Sequence, residues 1–258
     1  MTSIWWTLFS ALSLFAGMVL CLDIGFRIAR RSASEHPGST HEGVGAMEAA
    51  VFALLGLLLG FSFAGGTSRL DARRQLIIQE ANAIGTAYLR LDLLPPTAQP
   101  EMRRRFREYV DARLRVYGAL SDSNATEAEL AHARQLQQQI WSAATVSSLS
   151  DPSQNSARLL LPAINEMIDV TTARTVALNT HLPSLIFGLL VVVALLSSLL
   201  AGYAMAQRQR RSWLHMLLYA AAVASTVYVV LDLDNPRFGW IHLNAADNAL
   251  LQVRDSIR

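Results

Sequence analysis

The chain of 258 residues is 52% hydrophobic and 16% charged, more apolar and less charged than an ordinary water-soluble domain. A net charge of +2 is too small to imply a nucleic-acid partner, and a single cysteine, Cys21, excludes an internal disulfide framework. All 22 basic residues are arginine, which we read as the codon usage of a GC-rich bacterial genome rather than as chemistry.

Composition therefore points to the lipid bilayer. A hydrocarbon core about 30 Å thick is crossed by roughly 20 helical residues. Four stretches qualify, at 4–22, 49–68, 182–206 and 212–231. The first has no basic segment ahead of Trp5 and Trp6. Its MVLC at 18–21 also lacks the small residue that a lipobox places before its cysteine, so it reads as a retained span. Trp5, Trp6 and Trp213 fall at span ends, where amphipathic rings favour the headgroup level. The expected organisation is all-α: a transmembrane hairpin at 1–68, a helical extramembrane domain at 69–181, a second hairpin at 182–231 and a tail at 232–258. Four spans put both termini and 69–181 on one side, and the connectors 23–48 and 207–211 on the other. The connectors carry Arg27, Arg30, Arg31, Arg208, Arg210 and Arg211, against Arg69, Arg73, Arg74, Arg174 and Arg237 on the opposite side, so arginine placement does not orient the chain.

Between spans two and three nothing alternates with the period of a strand. RLDARRQLIIQEANAIGTAYLRLDLL continues span two as helix until Pro95 and Pro96 stop it. A second helix starts near Pro100 with Met102, Phe106, Tyr109, Val110, Leu114 and Tyr117 at helical spacing and a solvated arginine face. A third starts at Asn124, where Asn-x-x-Glu to Glu127 makes a capping signal, and SLSDPSQNS at 148–156 reads as a linker. The fourth, LLLPAINEMIDVTTARTVALNTH, leads directly into span three.

Several fragments resemble catalytic motifs and fail on context. GFSFA at 60–64 approaches a nucleophile elbow, but Ser62 lies in a continuous apolar helix rather than at a strand-to-helix turn. His41-Glu42 has no second histidine for a zinc-protease pattern, and His36 and His41 read as loop residues. His181 and His215 begin spans on opposite faces and cannot share a metal. Gly43 and Gly45 follow no strand and make no phosphate-binding loop. We therefore expect no catalytic residue, no metal and no cofactor, and read the chain as not an enzyme.

Span two carries more information. Ala49, Ala53, Gly56, Gly60 and Ala64 recur every three or four residues and form one smooth packing face. Beside it run Ala53, Leu57 and Phe61, which would narrow an axial pore if copies of this helix ringed a symmetry axis. An apolar constriction of that kind gates ions by dewetting, and Arg69, Arg73 and Arg74 at its exit would raise the local anion concentration.

FALLGLLLGFSFAGGTSRLDAR resembles the second transmembrane helix of bacterial bestrophins, in which L-G-F is followed by Ser-Arg and then an acidic-Ala-Arg step. DLDNPRFG at 232–239 is similar to the acidic N-P-F-G segment after that family's last span, though Arg237 interrupts it. WIHLNAADNA follows where that family has an aspartate-rich run, so no calcium clasp is expected. Most of the chain, including QEANAIGTAYLRLDLLP and LLLPAINEMID, resembles a bacterial membrane protein family described as bestrophin-like. The resemblance implies a pentameric homo-oligomer in the bacterial inner membrane that conducts chloride or other small anions. It places both termini and residues 69–181 in the cytoplasm, and puts Leu57 and Phe61 at neck positions with Ala53 where a larger apolar residue is usual.

The competing reading is a non-conducting membrane scaffold or sensor whose helical domain binds a partner. A motor-stator proton channel would need a carboxylate at mid-membrane, and Asp23, Glu48 and Asp232 sit only at span ends, where pairing with Arg27, Arg211 or Arg69 suits them better. One contact is expected in the water-facing helices. Counting from the spans at 1.5 Å per residue, Asn82 and Glu166 reach nearly the same height, so Asn82 should pack against Glu166 or Asn165 as a clamp between the two helices.

Overall fold

Long runs of good helix formers, stopped only by proline, glycine and polar clusters, leave little room for any other element. The described residues of the computed structural model, 2–35, 44–118, 123–150, 155–207, 212–234 and 244–257, hold eight α-helices and no strand. These are α1 (Thr2–Glu35), α2 (Val44–Leu89), α3 (Gln99–Gly118), α4 (Ser123–Leu149), α5 (Asn155–Asn179), α6 (Ser184–Gln207), α7 (Trp213–Asp234) and α8 (Asn244–Ser256). Four of the helical stretches are long and apolar enough to cross a membrane.

Each helix end has a local cause. After α2 the chain tightens into a 3-10 turn, Arg90–Leu93, and Leu94 is extended at φ −77°, ψ 155°, as the residue before Pro95 must be. The fourth extramembrane helix does not run unbroken into span three as expected. Residues 180–183 are non-helical, because Pro183 disfavours the helical region for Leu182 and supplies no N–H of its own. At the other end, α4 begins at Ser123, one residue before the Asn124 expected as its cap. The connector arginines Arg208, Arg210 and Arg211, the histidines His36 and His41, Gly43 and the middle of the 148–156 linker lie outside the described residues. So do residues 235–243, with Arg237 among them, and the side chains of 244–247.

The chain divides into two compact units, Met1–Leu70 with His181–His242, and Asp71–Thr180 with Leu243–Arg258. In the first unit α1 and α6 meet backbone to backbone. A Cβ on Gly25 would lie 2.0 Å from the Leu199 carbonyl oxygen, and one on Gly202 would lie 2.0 Å from that of Leu22. Gly17 faces Leu195 in the same register, so the two helices run parallel. The α2–α7 pair is parallel as well, with Phe52 edge-on to Tyr219 and Gly66 against Leu233. Met18, Leu22, Leu55, Val193, Met216 and Val223 fill the space between these pairs.

The second unit is a water-facing bundle built on Ile77, Ile84, Met102, Phe106, Ile140 and Ile164, all essentially buried. Helices α3 and α4 are antiparallel, since Arg105 donates to the Gln139 carbonyl at 3.0 Å while Arg115 pairs with Glu129 at 3.1 Å. The chain's last helix is not a separate tail here. In α8, Leu250 is buried and Arg254 pairs with Asp111 of α3 at 3.1 Å.

Candidate functional site

The α2 helix presents two faces within the first unit. One is occupied: Leu55 and Ser62 are buried, and Gly66 abuts Leu233. The other is bare. Ala49, Ala53, Gly56, Gly60 and Ala64 are all exposed, Leu57 and Phe61 beside them are 53% and 68% exposed, and a Cβ added to Gly56 or Gly60 would meet nothing within 4 Å. The smooth stripe expected for helix packing is therefore not filled by another described residue of the same chain. Burial of Ser62 within a helix also removes the strained turn that a nucleophile elbow would require.

The three arginines expected at a pore exit have separate surroundings. Arg69 donates through Nε to Asp234 Oδ1 at 2.9 Å, while Asp234 Oδ2 accepts the backbone N–H of Leu182 at 2.9 Å and lies 3.5 Å from His181 Nδ1. Asp234, buried at the end of α7, thus ties the middle of α2 to the segment that leads into α6. The sequence suggested Asp232 as the partner of Arg69; the carboxylate that pairs with it lies two residues further along α7, whereas Asp23 does pair with Arg27, at 2.7 Å. Arg73 is buried and donates to the carbonyls of Ala177 at 3.0 Å and Thr180 at 2.8 Å. At the end of α5 the helical donors run out, the Thr180 N–H reaching the Ala177 carbonyl only at 3.4 Å, and a guanidinium there complements the helix dipole. Arg74 is exposed and pairs with exposed Asp71 at 3.3 Å.

Sequence reasoning missed the polar centre of the second unit. Glu80 of α2 is fully buried, accepts from Arg113 Nε at 2.6 Å, and is bonded also by Arg174 Nη1. Burial alone would raise its carboxyl pKa, but the guanidinium charges of Arg113 and then Arg174 outweigh it and hold the group below its ordinary value. Beside it, Tyr109 shares a hydrogen bond of 2.9 Å with Thr171 and accepts one of 3.1 Å from Gln137. Burial, followed by the charge of Glu80, pushes that phenol up to about 12. The available signal was Arg113 and Arg174 at core positions of otherwise amphipathic helices. By contrast, the Arg103–Arg105 run is a solvated face, where hydrogen bonds from Arg104 and Arg105 hold exposed Glu101 at about 2.

The expected clamp takes a different form. Among the described residues no hydrogen bond joins Asn82 to Glu166 or Asn165, and Asn165 donates instead to Asp169 at 2.8 Å within α5. Both Asn82 and Glu166 are exposed and line one groove of about 380 Å³. The groove, rather than a direct bond, is what the two side chains share. No cluster of three or more metal-ligating side chains occurs among the described residues. His181 and His215 have separate neighbours, Asp234 and the Ser212 hydroxyl.

Comparison with known proteins gives three results. The family profile named Bestrophin-like domain matches residues 7–241. Among solved structures, the chain is similar to a bacterial bestrophin homologue from Klebsiella pneumoniae carrying a tryptophan-to-alanine mutation. The TM-score is 0.60 at 18% identity, over 95% of this chain and 98% of that one. No curated protein matches the sequence.

Proposed function

The chain belongs to the bestrophin-like family, and on that premise we propose that it is a homo-oligomeric membrane channel for small anions such as chloride, pentameric as the resemblance to bestrophins implies. Copies of α2 surround the axis in this reading, with Ala53, Leu57 and Phe61 lining an apolar neck. The observation that carries it is the bare apolar face of α2 in the first unit, where large side chains stand beside glycines that touch nothing. A dewetting constriction needs such a face, free of charge and presented away from the subunit's own core. Arg74, whose exposed pair with Asp71 is open to solvent, is the arginine best placed to attract anions, because Arg69 and Arg73 are engaged by Asp234 and by carbonyls at the end of α5. That engagement also favours a second reading, a non-conducting scaffold in which those arginines only fix helix ends.

We place the protein in the bacterial inner membrane with residues 69–181 and both termini in the cytoplasm. A topology reporter fused at Ser150 should then read cytoplasmic, and a periplasmic signal would reverse the orientation. Conduction is tested in chloride-loaded proteoliposomes. Phe61→Ala should raise flux several-fold by widening the neck, and purified particles should show closed rotational symmetry. Flux no greater than in empty vesicles for both wild type and Phe61→Ala would leave the scaffold standing.

A further inference from the structure

We propose that the groove between the second half of α2 and α5 binds a small zwitterion of the amino-acid class, its carboxylate on Arg90 and its ammonium group on Glu166. The site lies wholly in the water-facing unit and does not depend on conduction. Its volume of about 380 Å³ is at the small end of the range for small-molecule pockets.

The charges set the ligand class. Arg90 closes one end, anchored by donation from Nη1 to the Leu159 carbonyl at 2.7 Å. Glu166 lies seven residues beyond Leu159 along α5, about 10 Å by helix rise, on the same groove. A lone anion would gain Arg90 and be repelled by Glu166, and a lone cation would meet the reverse. A molecule carrying both signs a few carbons apart gains both contacts.

The wall between these ends is polar and uncommitted. Among the described residues, Gln79, Asn82, Thr86 and Glu166 have no hydrogen-bond or ion-pair partner in the protein, although all line the groove. Thr86 departs from the pattern of other helical threonines: Thr145, Thr172, Thr175 and Thr226 each return their hydroxyl to a carbonyl of their own helix. Along α2 the three polar residues 79, 82 and 86 fall on one helical row, so their donors and acceptors line one wall. Opposite them, the small side chain of Ala163 and the Pro162 ring leave space that longer residues would fill.

The test uses the full-length protein in detergent and the straight-chain ω-amino acids from glycine to 6-aminohexanoate, read by titration calorimetry and thermal unfolding. One or two chain lengths should bind saturably and raise the melting temperature, while the carboxylate and the amine of matching length should not. Glu166→Gln should weaken binding at least tenfold and Asn82→Ala several-fold, each leaving the melting temperature without ligand unchanged. Absence of saturable binding across the series would overturn the proposal. So would binding undiminished in Glu166→Gln, or an equal non-saturating effect from every length.

Discussion

The two units hold their helices together by opposite means. In the first, α1 and α6 touch through backbone at Gly25 and Gly202, and the core between helices is aliphatic. In the second, α2, α3 and α5 are joined through a buried carboxylate and two buried guanidiniums. The surrounding solvent explains the difference. Lipid tails are as apolar as leucine, so burying leucine between membrane helices gains little, and close approach of smooth surfaces supplies the attraction instead. In water the hydrophobic effect already drives collapse, and the charged cluster selects one arrangement, since each misplaced partner would leave an uncompensated buried charge.

The largest effect is expected at Glu80. Glu80→Ala strands Arg113 and Arg174 in the core and should cost about 3–5 kcal/mol in unfolding of the second unit, measured by denaturant titration. The pH dependence has a definite sign. The unfolded chain takes up a proton near the ordinary carboxyl value of 4.5, while the folded chain resists it to lower pH. The stabilisation is therefore complete above 4.5 and is lost as pH falls through the depressed folded value, an acid limb that Glu80→Gln should flatten.

Glycines sharpen the comparison within the membrane unit. Gly25→Ala or Gly202→Ala inserts a Cβ into a carbonyl and should destabilise by about 1–3 kcal/mol, because backbone rather than a flexible side chain must move. Gly56→Ala and Gly60→Ala meet nothing among the described residues and should change subunit stability by less than about 0.5 kcal/mol. If they nevertheless break up the proposed oligomer on size exclusion, the bare face of α2 is where subunits meet; an unchanged particle size would assign that face to the pore or to lipid.

Helix content and span positions were legible because each rests on local information: apolar runs, prolines, caps. The same holds for Met102, Phe106, Tyr109 and Val110, whose spacing alone put them inside. What was hidden depends on which helices become neighbours. Gly25 looked like any glycine in an apolar run until Leu199 was placed beside it. Arg113 and Arg174 fell at core positions by spacing, but nothing local named the distant carboxylate, Glu80, that lets an arginine be buried there. Helix rise levelled Asn82 with Glu166, but rise gives height and not the distance between axes, so it foresaw a bond where the structure has a groove.

The parallel pairing of α1 with α6 bears on how the protein is made. Gly17 meets a residue, Leu195, that leaves the ribosome roughly 180 residues later. At about 5–20 residues per second, that interval is on the order of 10–40 seconds. During it the first hairpin sits in the bilayer with Gly25 facing lipid or any other small-residue helix within reach, while α3, α4 and α5 of the water-facing bundle are being synthesised. The α1–α6 contact thus forms only after helices α2 to α5 have been made, although α1 precedes them all.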